Sequence, residues 1–377
     1  MTLEAGFGRA VINPKTPVML AGFGDRTGPA NEIHDDLEAR VLCLMQDDGV
    51  TLCLVVCDLL GMSVEFSDPV RESIASELRI PIEAVLTSCT HTHHGPNVMK
   101  GGEALGWITP EGYAETLTDD CRRAAAAARA ATEPASLSFG RAPLPEGLSV
   151  NRRGYPYEPW FSVLDILRQD GSRIGTVFNL AIHPVSLGPE WLAVSGDWVG
   201  PFRAAVESNA GGMAIMLSGA LGDVNPRGWE GLAGPGGNFS NTEALGKDIA
   251  SAALALLPDC EPLEGRIAIA SSRTIDVPVS PTPLVELTGL KGPLVNVELI
   301  EWSIGSVRLV SIPGEAFQAF GKAVDDARGG RTLLAGISPS WHGYLPKPFG
   351  AGYEETVSFG EAAVVEILKA LTDNPER

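Results

Sequence analysis

The stretch Cys89-Thr90-His91-Thr92-His93-His94-Gly95-Pro96 holds three of the chain's six histidines. Imidazole binds metal ions and carries protons near neutral pH, so three in one run point to a metal site or to acid–base work. On an extended backbone, residues i and i+2 share a face. His91 and His93 are therefore expected to point the same way at the end of an apolar strand, with His94 turned elsewhere and Gly95-Pro96 stopping the strand. Two more candidates stand in the same context: His183 follows the apolar run in TVFNLAIHP, and Glu315 follows the one in RLVSIPGE. Two imidazoles and a carboxylate make a catalytic zinc set with a position open to water, and their separation along the chain is far too long for a zinc finger. The competing reading is a polar strand end whose histidines are merely hydrogen-bonded. Two other HxH patterns fit badly. The HxHxDH of metallo-β-lactamase-like enzymes fails at Gly95 and Pro96. A TIM-barrel amidohydrolase needs more histidines on later strands, and only His183 and His342 follow the cluster.

These residues need strand ends to hold them. Val41–Met45 and Thr51–Asp58 read as a hairpin around an Asp-Gly turn. Ser67–Leu78 reads as a helix, Ile80–Cys89 as a buried strand running into the cluster, and Glu111–Thr132 as a long helix ending in RRAAAAARAA. Ser162–Leu167 and Gly175–Ile182 form another strand pair, followed by a helix over Asp197–Ser208, a strand over Met213–Leu217 and a helix over Asn241–Leu257. Strands over Arg266–Val277, Val295–Ser303 and Ser306–Ile312 precede a helix over Ala316–Arg328, a strand over Thr332–Gly336, a loop through Tyr353 and a last helix near Gly360–Leu371. Hairpins interleaved with helices predict an α/β fold of mixed β-sheets flanked by helices, in a single domain over 1–377 with no internal repeat.

Composition narrows the partners. The 377 residues are 44% apolar and 20% charged, which suits a packed globular chain, and the net charge of −19 disfavours nucleic acid and anionic lipid surfaces. Three of the six cysteines, Cys43, Cys53 and Cys57, lie in apolar strand-like text, and the cysteines read as buried free thiols; Cys53 and Cys57 lack CxxC spacing. The first residues carry no secretory pattern, and the longest apolar run is interrupted by Asp58 and too short to span a bilayer, so a cytoplasmic location is expected.

In order and spacing, GFGRAVINP, AGFGDR, IHDDLEARVL, THTHHGP, SVNRRG, NLAIHPVSL, SGDWVG, SGALGDVNP, IPGE, HGYLP and GYEE match a known family nearly end to end. The chain resembles the neutral/alkaline ceramidases, specifically their N-terminal catalytic domain. The resemblance implies one catalytic Zn2+ held by His91, His183, Glu315 and Tyr344. It makes His93 a residue facing the substrate oxygen and sets Arg152 and Tyr353 in the pocket. Tyr344 is not a ligand that the residues alone suggest; without the resemblance it reads as a hydrogen-bonding loop residue. Two departures matter: His94 replaces a serine, and Asn225 stands where a serine has been considered as nucleophile. Metal-activated water is therefore expected in place of a serine hydroxyl. Neither the family's secretory leader nor its C-terminal β-sandwich is expected from this sequence.

The expected activity is zinc-dependent hydrolysis of an N-acyl amide, on a small-molecule or lipid-like substrate, with His93 and Tyr353 stabilising the carbonyl oxygen and Arg152 holding a polar part of the substrate. An esterase or lactonase acting on a small polar substrate is the alternative within enzymes, and a non-catalytic binding protein the alternative outside them. Asp58 or Asp197 is a candidate to orient a ligand imidazole, Asp197 equally a helix cap, and Asp223 a turn brace. Trp229, Trp341 and the Gly-rich 227–238 stretch are candidates to cover the pocket. His34 and Asp36 have no assigned work.

Overall fold

The chain lays down one order of elements three times in the computed structural model, which describes residues 2–228 and 237–373. The first unit is β1 (Leu3–Val11), β2 (Glu38–Gln46), β3 (Thr51–Cys57), α1 (Val64–Leu78), β4 (Val85–Cys89) and α2 (Tyr113–Ala130). The second is β5 (Ser136–Pro143), β6 (Trp160–Leu167), β7 (Arg173–Leu180), α3 (Val199–Ala210), β8 (Met213–Ser218) and α4 (Phe239–Leu256). The third is β9 (Ile267–Pro278), β10 (Leu294–Ile304), β11 (Val307–Ile312), α5 (Gln318–Asp326), β12 (Thr332–Gly336) and α6 (Glu361–Thr372). In every unit three strands form an antiparallel meander, a helix crosses over, and the fourth strand joins the third in parallel. The sheets are mixed and flanked by helices, as expected. The repeat was not expected: it lies in the connectivity, and the residues that build it differ from unit to unit.

Each sheet turns one face inward and one outward. The inward faces share a central core that includes Leu54 and Leu86, Leu164 and Leu217, and Trp302 and Leu333. The outward faces are covered by each unit's own helices. β3 is buried along its whole length, which explains its uninterrupted apolar text. The parallel strands β4, β8 and β12 meet at the middle. Ser88 Oγ donates to Gly336 O at 2.8 Å, and Ser218 Oγ to Cys89 O at 2.8 Å. Asn179 trades bonds with Leu334, donating from Nδ2 to its carbonyl at 2.8 Å and accepting its N–H at 2.8 Å. The carboxyl ends of strands from three sheets are thereby gathered at one place.

Local differences have local causes. The expected strand Ile80–Cys89 is broken by Pro81 and a 3₁₀ turn over Ile82–Ala84, so only Val85–Cys89 pairs. Helix α1 starts at Val64, ahead of the Ser-Asp-Pro, which falls inside it. β1 hides in sequence behind Gly6 and Gly8. Helix α2 lies directly on them: a Cβ at either would sit 2.2 Å from a carbonyl oxygen, of Ala128 and Ala124 respectively. The alanine tract of α2 is the other half of that close approach, with Ala124, Ala125 and Ala128 buried. All six cysteines are free, five of them buried. Among the described residues no helix is long and apolar enough to cross a membrane.

Candidate active site

Each unit supplies at least one candidate ligand, the third adding Tyr344 to Glu315. His91 lies just beyond β4, His183 just beyond β7 and Glu315 just beyond β11. Their backbones are fixed before their side chains: His91 N–H donates to Leu59 O at 2.9 Å, His183 N–H to Val224 O at 3.0 Å and Glu315 N–H to Gly343 O at 2.9 Å. The strand alternation expected for His91 and His93 does not hold, because β4 ends at Cys89 and His91 takes a left-handed φ of 72°. That conformation is costly for a residue with a Cβ and persists where the surroundings impose it. It turns the chain so that the rings of His91 and His93 still converge, 5.0 Å between centroids, with His183 at 4.9 Å from His91.

The ring nitrogens of His91, His93 and His183 can be chosen within 4.8 Å of one another. Which nitrogens are free follows from their partners. His91 Nδ1 meets Leu60 O at 2.6 Å, and His183 Nδ1 meets Val224 O at 3.1 Å. A carbonyl only accepts, so both Nδ1 atoms carry the proton and both Nε2 atoms keep a lone pair. Those lone pairs face one oxygen: Glu315 Oε2 is 3.1 Å from His91 Nε2 and 3.3 Å from His183 Nε2. Apart from this contact the buried Nε2 of His91 has no partner. Burial drives the His183 imidazole down to about 4, outweighing its contact with Glu315. Burial alone would raise the Glu315 carboxyl, yet the facing His91 and His183 hold it well below the usual range. Two imidazole nitrogens and a carboxylate oxygen thus converge in a dry site that calls for positive charge between them, and a divalent cation fits that need.

The other oxygen of Glu315 is already spoken for. Trp341 Nε1–H donates to Oε1 at 2.9 Å. Tyr344 stands beside Glu315 because the short strands Glu315–Ala316 and Tyr344–Leu345 pair in parallel with those two residues in register. Its hydroxyl interacts with the Glu315 carboxylate, and burial with that neighbouring charge pushes its pKa well above the usual value. Arg152 lies behind, its guanidinium carbon 5.5 Å from the Tyr344 ring centre. Arg152 donates to Glu354 Oε1 at 2.8 Å, Asn225 Oδ1 at 3.2 Å and Gly222 O at 2.6 Å, so its polar atoms serve the protein. Tyr353 lines the cavity at its rim, 57% exposed overall, and partial burial raises its pKa.

His91, His93, Glu315, Tyr344 and Tyr353 line one cavity of about 210 Å³. His93 has both ring nitrogens buried and unpartnered in it, and burial, then the neighbouring His91 and His183, hold its pKa well below the usual imidazole value. The rest of the lining is largely apolar, including Leu60, Met99, Trp107, Leu284 and Leu287. A larger cavity of about 580 Å³ lies elsewhere, between α3 and the start of α4. His34 and Asp36 line it with Glu38, Arg40 and Glu207, and it contains none of the converging ligands, so the chemistry is assigned to the smaller one.

Neither aspartate touches a ligand imidazole. Asp58 binds both terminal nitrogens of Arg203, at 3.0 and 2.6 Å, and Asp197 accepts from Ser186, Leu187 and Trp198 at the start of α3. Asp223 braces Asn151 and Gln318, both at 2.7 Å. The groups that orient the imidazoles are the carbonyls of Leu60 and Val224, which no side-chain pattern reveals. Trp341 lines the cavity, whereas Trp229 and most of the Gly-rich stretch lie outside the described residues.

No family model matches the sequence, and no curated protein matches it. Solved structures do. A neutral ceramidase from Pseudomonas aeruginosa superposes with a TM-score of 0.84 at 19% identity, over 99% of this chain and 74% of that one. The chain has the neutral ceramidase fold. A ceramidase complexed with C2 gives a TM-score of 0.83 at 17% identity, again over 99% of this chain and 74% of that one. The neutral ceramidase fold here is built on three larger mixed sheets, with His91, His183 and Glu315 each just beyond a strand of one of them.

Proposed function

We propose that the protein is a zinc-dependent hydrolase that cleaves an N-acyl amide bond. One observation carries the reading: His91 Nε2 and His183 Nε2 aim their lone pairs at Glu315 Oε2, at 3.1 and 3.3 Å, while Oε1 is fixed by Trp341. Two imidazole nitrogens and a carboxylate suit zinc, and the neighbouring Tyr344 supports a fourth ligand. The ceramidase fold supports an amide as the bond attacked. A bound zinc ion supplies Lewis acidity and brings its water to a pKa of about 7.

The chain's own groups account for the remaining steps. His93 is neutral near pH 7, so it offers one N–H and one lone pair to whatever lies over the ligands. It is the group to take the proton from the attacking water and to return one to the departing nitrogen. Tyr353, a phenol with a raised pKa, stays protonated and donates to the carbonyl oxygen as charge builds on it. Arg152 packs on Tyr344 and sets its position. Asn225 accepts from Arg152 and offers no nucleophile, so the serine route has no residue here.

The test is metal content and turnover together. Protein loaded with one zinc per chain is expected to hydrolyse N-acyl amides, and His91→Ala to lose both the ion and the activity. Turnover that survives in His91→Ala, or protein that binds no zinc, overturns the reading.

A further inference from the structure

The cavity over the ligands also limits the substrate, on the reading of the site just given. Its walls are hydrocarbon: Leu60, Met99 and Trp107 on one side, Leu284 and Leu287 of the short helix Pro283–Thr288 on the other. Among the described lining residues, the charged or ionisable groups are the catalytic set and Lys100, and Lys100 is an exposed residue paired with Glu65 at 2.9 Å. Burying an unpaired charge or an unsatisfied polar group against such walls is costly. Cleavage of an amide yields a carboxylate and an amine that takes up a proton. Both polar product ends form at the ligands, so only an uncharged tail extends between the walls, and the amine half, which gains charge as it leaves, departs through the open mouth. The group seated between the walls is therefore the acyl tail, and the amine half faces the mouth near Tyr353.

Volume sets the length of that tail. An apolar cavity of about 150 Å³ holds a benzene, six carbons. On that scale the cavity of about 210 Å³ holds roughly eight. Its walls are also closed against each other at a glycine seam. Gly101, at a φ of 85°, approaches Leu287 so closely that a Cβ would lie 2.7 Å from the Leu287 carbonyl oxygen. A residue larger than glycine would part the walls there, so the cavity ends where the seam begins.

We infer that the substrate carries a short, uncharged, apolar acyl group of up to about eight carbons, held between Met99, Trp107 and Leu287 with its amine half at the open rim. Long-chain acyl groups are disfavoured by length and small polar substrates by walls that are mostly hydrocarbon, with Thr288, Thr356 and Lys100 the polar side chains outside the catalytic set.

Two readouts on zinc-loaded protein separate this inference from the amidase reading. The first is calorimetric binding of straight-chain acids, the product half: acetate, hexanoate, octanoate and dodecanoate. Affinity is expected to rise about fourfold per methylene up to octanoate, as for hydrocarbon leaving water, and to stop rising or fall by dodecanoate. The second is kcat/KM for N-acyl-p-nitroanilides of the same lengths, with an optimum at six to eight carbons and at least a tenfold drop by twelve. Leu287→Ala and Met99→Ala are each expected to move both optima to longer chains, and two positions guard against one variant failing to fold. Dodecanoate binding much more tightly than octanoate, or optima that neither variant moves, overturns the inference even where amide cleavage is found. A binding optimum at eight carbons without any amide cleavage upholds the pocket assignment and removes the amidase reading instead.

Discussion

Trp341 holds Glu315 by one oxygen, its indole N–H 2.9 Å from Oε1, and so presents the other oxygen to His91 and His183. A carboxylate free to rotate would offer its oxygens interchangeably; this one is committed before any ion arrives. Groups that fix a ligand in this way typically contribute 10- to 100-fold to metal affinity. Trp341→Phe keeps the ring against Leu60 and Met99 and removes only the donor. Zinc affinity, measured by competition with a chromophoric chelator, is expected to fall by about tenfold or more. An affinity within twofold of the parent would show that the bond orients nothing.

His93 separates two roles that geometry alone leaves adjacent. It stands among the ring nitrogens that lie within 4.8 Å of one another, yet Glu315 Oε2 is met by His91 and His183. As a proton carrier, His93→Ala should retain one zinc per chain and lower kcat by about 10²–10⁴. Loss of the ion from this variant would make His93 a ligand.

The Asp58–Arg203 pair is expected to be structural. Both side chains are almost fully buried, and Asp58 also accepts from Thr90 and from the Glu38 N–H. Breaking such a pair leaves an uncompensated charge inside and costs about 3–5 kcal/mol. Asp58→Ala should therefore lose most of its resistance to urea, and a loss below about 1 kcal/mol would mean that water reaches Arg203.

Acid should destabilise the metal-free protein over a defined window. Burial brings His342 to about 4 and His94 to about 3, against 6.5 for an ordinary imidazole. Below about pH 6.5 the unfolded chain binds protons that the folded chain refuses, so stability is full above that pH and declines as pH falls toward 4. Each such histidine adds a slope of up to about 1.4 kcal/mol per pH unit. Asp197, raised by burial to about 6, works in the opposite sense between its ordinary 3.8 and that value. Urea melts from pH 7 to 4.5 should show the net decline, and His342→Gln should lessen its slope. An unchanged slope would place His342 outside the effect.

Much of the site could be read from one-dimensional features: an apolar run, then a histidine or glutamate, then a turn, at three distant places. Those features mark strand ends, and strand ends in sheets of this kind are where sites form. What escaped the sequence is what backbone geometry decides. Alternation along an extended chain was the wrong rule for His91, whose left-handed turn performs the convergence instead. The carbonyls of Leu60 and Val224 have no letter of their own. β1 was obscured by the two glycines that let α2 lie on it, and the threefold order of elements by the freedom of each unit to use different residues for the same connection.

That threefold order has a consequence for how the protein comes into being. Because every unit contributes to the converging set, no fragment that lacks any of them brings the whole set together. During synthesis the pocket stays unformed until Glu315 and Tyr344 have left the ribosome and the last sheet has docked on the first two. A metal ion taken up at this centre would then report that the whole chain has reached its final arrangement.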